Sequence, residues 1–441
     1  MSEMYLFVVI VITIIYSIPF LLKTQKFGFN VYSFFFVAVM VQVFLRNIFM
    51  YFDFPNYDYV HRVLLLNKPW EDFIFSALIF LFGSALTVIS YIFAYKSFSQ
   101  SPSSLRAIAI EPSYKSVKFW SYVLLSISIF SFIYYFRVTY QSGGVISAYR
   151  SVSNDLEDYS AHGGLVEGVR LSFIVALLSI AYYWTSKRKA FLFLFLLSSF
   201  LYTSFAFYIS TRASILVFFL GLFAMASFYK KLSKSTILLG FSTMVLIGAT
   251  MTFLRLNLSD TLSTGEIVGN FSDLVGYIVV NNGGIDIPKF HHLIEYVQSQ
   301  TDYRLGGFLS NLILLFIPRA IWPGKPVNID TEFGSAVYES MSYGSGAVPP
   351  GIYGEFFWDF WWSGFIIAAI LVGIILGFFD RFLQSNSDSV FVKVAYPLTI
   401  LFAGMGLIGS GLVSWFIGFA VKVIPLYVVF HLSSYSYRFR D

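Results

Sequence analysis

Apolar stretches of about 18 to 25 residues recur along this chain almost from end to end, and each is long enough to cross a hydrocarbon layer roughly 30 Å thick. Bounded by polar or charged residues, they run over 4–22, 27–45, 73–95, 119–136, 169–184, 190–209, 215–229, 236–253, 356–379, 391–411 and 412–431. Only 12% of the 441 residues are charged and 57% are apolar, whereas a soluble domain carries about a quarter charged. The sequence therefore predicts an all-α polytopic integral membrane protein of about eleven transmembrane helices, with residues 1–441 forming one membrane domain. Met1 to Met4 carries Glu3 where a secretory signal would carry Lys or Arg, so the first block is expected to stay in the protein.

Orientation follows from the basic residues of the short connectors. Lys23 and Lys26, the segment from Lys96 to Lys118, Lys187 to Lys189, and Lys230, Lys231 and Lys234 all fall on one side. That side is the cytoplasm by the positive-inside rule, which puts the N-terminus outside and the C-terminus, with Arg438 and Arg440, inside. The net charge of +5 is then topological, and no basic face with interleaved aromatics marks a nucleic-acid partner. With no cysteine, disulfides, thiolate nucleophiles and Cys metal sites are excluded together.

Three outer segments are long: 46–72, 137–168 and 255–355, the last a large helical outer loop. Within it Ser263 and Glu266 form a capping-box pattern, Phe290, Leu293, Ile294 and Val297 share one helical face after Pro288, and the apolar run Phe308 to Ile317 is too short to span. The outer basic residues are nine Arg (46, 62, 137, 150, 170, 212, 255, 304, 319) and three Lys (68, 289, 325). A guanidinium grips phosphate or carboxylate with two parallel bonds, so this excess of arginine points to an anionic ligand. Anchoring at lipid headgroups would select the same residue type.

The densest constellation is Ile317-Pro318-Arg319-Ala320-Ile321-Trp322-Pro323-Gly324-Lys325-Pro326. Three prolines stiffen the backbone around Arg319 and Lys325, and cations held in place before reaction suit a developing negative charge. A proline-stiffened loop tied to headgroups, with Trp322 as its interfacial anchor, is the other reading of the same string. Pro349-Pro350-Gly351 then turns into the next span and leaves Glu355 near a helix N-terminus, where the helix dipole favours the carboxylate form. His291 and His292 offer imidazoles without a third ligand at metal spacing, so neither a metal nor another cofactor is expected. Gly404-Met405-Gly406-Leu407-Ile408-Gly409 sits in an apolar block and reads as helix packing, and Lys422 is a cation inside a span.

Pro318-Arg319-x-x-Trp322-Pro323-x-Lys325-Pro326, followed by Pro349-Pro350-Gly351 and Gly354-Glu355 at the mouth of a span, resembles the Wzy family of bacterial oligosaccharide repeat-unit (O-antigen) polymerases. Span number, the Thr211-Arg212 turn and one large late outer loop are similar to that family too. The arginine, ten residues, glycine pattern described for some members fits none of the nine outer arginines.

The resemblance implies a GT-C-like glycosyltransferase of the bacterial inner membrane that acts on its periplasmic face. Its substrates would be undecaprenyl-pyrophosphate-linked oligosaccharides held among membrane lipid, and its protein partner a chain-length regulator. Only the proline-rich string and the Glu355 turn carry over by position; Arg319, Lys325 and Trp322 are expected to meet the pyrophosphate and sugar, Arg137, Arg150, Arg212 and Arg304 are further outer cations that could join them, and a base is sought among Glu355, His291, His292 and His162. A lipid-linked oligosaccharide flippase and an O-antigen ligase are the alternatives.

Overall fold

A computed structural model of the chain describes residues 2–22, 30–53, 60, 65–99, 113–141, 163–209, 212–229, 287–299, 306–307, 329–337, 348–386, 389–399 and 407–438, with scattered positions between 235 and 250. The described elements are helical. In order they are α1 (Ser2–Leu21), α2 (Val31–Val39), a π-helical segment (Met40–Leu45), α3 (Arg46–Tyr51), a 3-10 turn (Trp70–Phe73), α4 (Ile74–Ser99), α5 (Tyr114–Gln141), α6 (Gly163–Ser186), α7 (Lys189–Tyr208), α8 (Arg212–Tyr229), α9 (Ile287–Ser299), α10 (Ile329–Val337), α11 (Gly351–Ser385), α12 (Val390–Thr399) and α13 (Leu407–Arg438). Among the described residues eight stretches are long and apolar enough to cross a membrane, which makes this a multi-pass membrane protein. Those around α8 and α12 are shorter apolar helices, and the expected block at 236–253 lies largely outside the described residues, as do the 263–266 capping pattern and the 308–317 run.

Contacts divide the chain into two units. Unit 1 comprises Met1–Pro102, Gly269–Phe382 and Phe402–Ile417, and unit 2 comprises Ser103–Val268, Leu383–Leu401 and Gly418–Asp441. In unit 1, α4 and α11 approach closely because α11 carries Gly373-x-x-x-Gly377. A Cβ on Gly373 would run into the Thr87 carbonyl oxygen, and one on Gly377 would lie 2.9 Å from that of Tyr91. The stripe Ser76, Phe80, Ser84, Thr87 and Tyr91 of α4 is fully buried there. Its hydroxyls bond inside the protein: Thr87 Oγ1 to the Tyr353 hydroxyl at 2.8 Å and to the Ala369 carbonyl at 3.0 Å, and Tyr353 to the Tyr16 hydroxyl at 3.1 Å. Buried Asp380 accepts from the Val31 N–H at 2.7 Å, the Tyr32 N–H at 3.1 Å and the Tyr91 hydroxyl at 3.0 Å. Together with the Asn30 side chain, which accepts from the Ser33 N–H, it satisfies the N–H groups that α2 cannot bond within itself.

In unit 2 the two-residue connection Lys187–Arg188 folds α6 and α7 into an antiparallel hairpin. It packs with α5 around Tyr135, Val166, Val169, Phe205 and Ile209. Lys422, buried in α13, interacts electrostatically with Glu167 and Arg170 of α6, which are themselves ion-paired. A cation that deep in a span is held by other charges rather than left to lipid.

Candidate functional site

α11 and α13 are both broken, and the candidate residue Glu355 lies between the two breaks. Helical hydrogen bonding carries α11 across Phe360 (φ −133°, ψ 15°) and Trp361 (φ 60°, ψ −145°), but the axis does not continue there. A non-glycine residue with the φ/ψ of Trp361 stands in a region otherwise left to glycine, a conformation costing about 1–3 kcal/mol that the surroundings must impose. Gly364 permits the fold-back, since a Cβ on it would run into the Phe356 carbonyl oxygen. The piece Gly351–Asp359 is buried at every position, and the membrane-length piece begins only after the break. The apolar pattern alone starts a span at 356 with Glu355 at its mouth. Glu355 is instead the fifth residue of a short internal helix, and the break at Phe360–Trp361, which nothing in that pattern announces, separates it from the span.

α13 is broken at Gly411 (φ 79°, ψ 173°), and its long arm starts at Leu412. Glu355, 2% exposed, accepts the Leu412 N–H through Oε2, so the carboxylate caps the N-terminus of the last span from another helix. The helix dipole on which the sequence argument relies is therefore real but belongs to α13. Gly411 is required twice over, by its positive φ and by its place against the Glu355 carboxyl group. Asp359, one turn beyond Glu355 on the short helix, is buried as well.

Around this helix the neighbours from α9 and α10 are aromatic. Phe290 of α9 packs on Phe357 and Phe365, with ring centroids 6.1 and 5.5 Å apart. Tyr296 of α9 and Phe333 of α10 meet Trp358 at 5.3 and 6.4 Å. His291 and His292 both set their rings edge-on to Phe73. His291 Nδ1 lies 3.0 Å from Ser76 Oγ, and its Nε2 lies 3.2 Å from Glu295 Oε1. The Nδ1 contact ties α9 to α4, while the buried Nε2 has no hydrogen-bond partner among the described residues. Glu295 also pairs with Lys68. Burial pushes the His291 imidazole below its ordinary value, with Lys68 helping and Glu295 and Asp72 opposing. For Glu295, burial acts upward, but the Lys68 bond and the charges of both histidines hold the carboxyl below its ordinary value.

By its place in the sequence Arg46 opens an outer loop. The helix instead runs on to Tyr51, and Arg46 is 1% exposed, the largest wholly buried side chain of unit 1. It follows the π-helical segment, a wide turn that is often found at functional sites. Residues 46–51 open with Arg46 and Asn47, which composition reads as the end of a span, so only packing reveals that the charge lies inside protein. Next to it Asn47 accepts the Tyr5 hydroxyl and donates to the Val43 carbonyl.

Of the other expected site residues, Arg137 is exposed near the end of α5 in unit 2, and Arg212 opens α8. The Arg212 side chain and residues Arg150, His162, Arg304, Arg319, Trp322 and Lys325 lie outside the described residues. Glu355 and His291 both belong to unit 1, joined through the Phe290–Phe357 and Tyr296–Trp358 contacts. Among the described residues no three His, Asp or Glu side chains gather as a metal-ion set. Gly411 and Leu412, which meet the Glu355 carboxyl group, are the neighbours that sequence reasoning does not place beside it. Only the glycine leaves a usable trace, as a small residue inside an otherwise apolar block. Comparison with protein-family models, with curated proteins and with solved structures gives no match.

Proposed function

We propose that this chain is a metal-independent glycosyltransferase of GT-C-like architecture with about eleven spans. It would polymerise undecaprenyl-pyrophosphate-linked oligosaccharide repeat units on the periplasmic face of the bacterial inner membrane, with its C-terminus in the cytoplasm. The observation that carries this reading is the pairing of the Pro318 to Pro326 string with a buried carboxylate, Glu355, a few residues after the Pro349-Pro350-Gly351 turn. A pyrophosphate leaving group needs no general acid, but its departing charge must be neutralised, and Arg319 and Lys325 are cations on stiff backbone suited to that. Glu355, anchored through one oxygen by the Leu412 N–H, presents a buried carboxyl group that would, as the carboxylate, accept the hydroxyl proton of an incoming sugar. His291, His292 and His162 follow Glu355 as candidates for that proton.

Buried Arg46 and Lys422 favour a second reading, a flippase for the same lipid-linked glycans, since ionisable groups inside spans are common in transporters. One experiment separates the two. Purified protein in a bilayer receives a lipid-linked repeat unit with excess chelator present. A ladder of lengthened glycans is expected. Movement of the unit across the bilayer without lengthening would establish the flippase, a single transfer to another acceptor the ligase, and a ladder that needs an added divalent cation would refute metal independence.

A further inference from the structure

The short helix Gly351–Asp359 owes part of its burial to α9, which belongs to the outer loop and not to a span. The union between them has two parts. Phe290, Leu293, Ile294 and Val297 of α9 are buried as one apolar face, and ring contacts tie Phe290 and Tyr296 to Phe357 and Trp358. The second part is polar and sits on one side of α9, where His291 meets Ser76 of α4, and Glu295 gathers Lys68 at an ion pair, His291 at 3.2 Å and His292 at 3.9 Å. Each of these polar contacts has one end on α9 and, except for the two between Glu295 and the histidines, the other on α4 or the segment leading into it.

We propose that α9 is an acid-released cover: protonation of His291 and Glu295, where they meet Ser76 and Lys68, frees α9 from α4 and opens the helix carrying Glu355 and Asp359 to water. This goes beyond the transferase reading and does not depend on it. The groups facing His291 are Ser76 of α4, Lys68 and Asp72 ahead of α4, and Glu295 and His292 of α9 itself; α10, which packs on α9, carries Glu332.

The direction follows from linkage. Docked His291 takes a proton less readily than a free imidazole of ordinary value 6.5. Below about that pH the released form binds more protons, so acid favours release. Glu295 is held below its ordinary 4.5, so its contribution is present above that value and is lost as pH falls further. The two groups act in the same direction, His291 first. Each proton taken up on release changes the docked-to-released ratio by up to tenfold per pH unit.

The absence of cysteine makes the test direct. Cysteines replacing exposed Phe52, at the end of α3, and exposed Gln298, in the last turn of α9, would carry nitroxide labels in the full chain held in nanodiscs. Pulsed electron resonance should show one short distance at pH 8, giving way to a longer, broader population between about pH 6.5 and pH 5. His292→Gln should keep this transition, because His292 lies at the edge of these contacts. His291→Gln should abolish it, and His291→Phe, which preserves the ring contact with Phe73 and cannot be protonated, should give the same result if the amide does not seat. A distance distribution unchanged from pH 8 to pH 5, or a transition undiminished in both His291 variants, would overturn the proposal.

Discussion

Replacing Gly411 by alanine tests whether the break in α13 and the Glu355 cap are one device. The residue stands at φ 79° and ψ 173°, and forcing alanine to hold that backbone costs about 1–3 kcal/mol. An added Cβ would lie 2.7 Å from Glu355 Oε2 and closer still to Oε1 and Cδ, so the carboxyl group must move away. Moving it gives up the Leu412 N–H bond, a hydrogen bond to a charged group worth about 1.5–3 kcal/mol. The two losses together come to about 2.5–6 kcal/mol, a large share of the roughly 5–15 kcal/mol that holds a domain together. Gly409 two residues earlier is the internal control, because a Cβ there meets only the flexible amide end of Gln42, at 3.0–3.1 Å. The assay is reversible denaturation of the purified variants in mixed micelles, run as a double-mutant cycle with Glu355→Ala. In the Glu355→Ala background the clash and the lost cap are already absent, so Gly411→Ala should cost only its backbone share, and the coupling should reach about 1.5–3 kcal/mol. Additive single-mutant losses, or a Gly409→Ala chain as damaged as Gly411→Ala, would refute the account.

Arg319→Ala at normal membrane levels should remove most polymer, by roughly 100- to 1000-fold, as expected for the loss of one donor to a developing charge. Arg319→Lys should recover only part, since it keeps the charge and loses the planar fork, and full-length glycan from the alanine variant would exclude this residue from the site. Reporter fusions near residues 100, 188 and 232 and at the C-terminus should read as cytoplasmic, and those near 150 and 300 as external. Phosphatase activity at 188 or fluorescence at 300 would reverse the orientation drawn from Lys and Arg.

The positions of most spans can be read from apolar runs alone, because a helix in lipid must bond all its backbone groups internally and shows that need as unbroken hydropathy. The same rule hides what happens inside a run. The Phe360–Trp361 break carries no proline or glycine at the strained residue, so it leaves no mark in the sequence, and a span seems by its hydropathy to begin where a short internal helix is in fact ending. Glu355 can be found as a carboxylate beside a proline turn, but its partner, the Leu412 N–H, is 57 residues away and is set only by packing. Arg46 escapes for the opposite reason. A charge at the edge of an apolar block looks like the end of a span, and only burial shows that it is a cation placed among protein groups. His291 stands out in the sequence as an ionisable residue, but its contact with Ser76 of α4, 215 residues away in the chain, is set only by packing.

The glycine contacts between α4 and α11 carry a consequence for how the molecule can move. With Gly373 and Gly377 seated against the backbone of α4, and Gly83 against the Phe365 ring, neither helix can slide or roll past the other without a backbone collision. The pair behaves as a single stave that lipid sees as an unchanging surface. Any rearrangement within unit 1 must therefore be absorbed beyond that stave, in the short helix before Trp361, in α9 and at the Gly411 joint. Such a layout lets those parts change shape while the fit of the α4–α11 pair to the thickness of the bilayer stays constant, so their motion should respond little to membrane thickness.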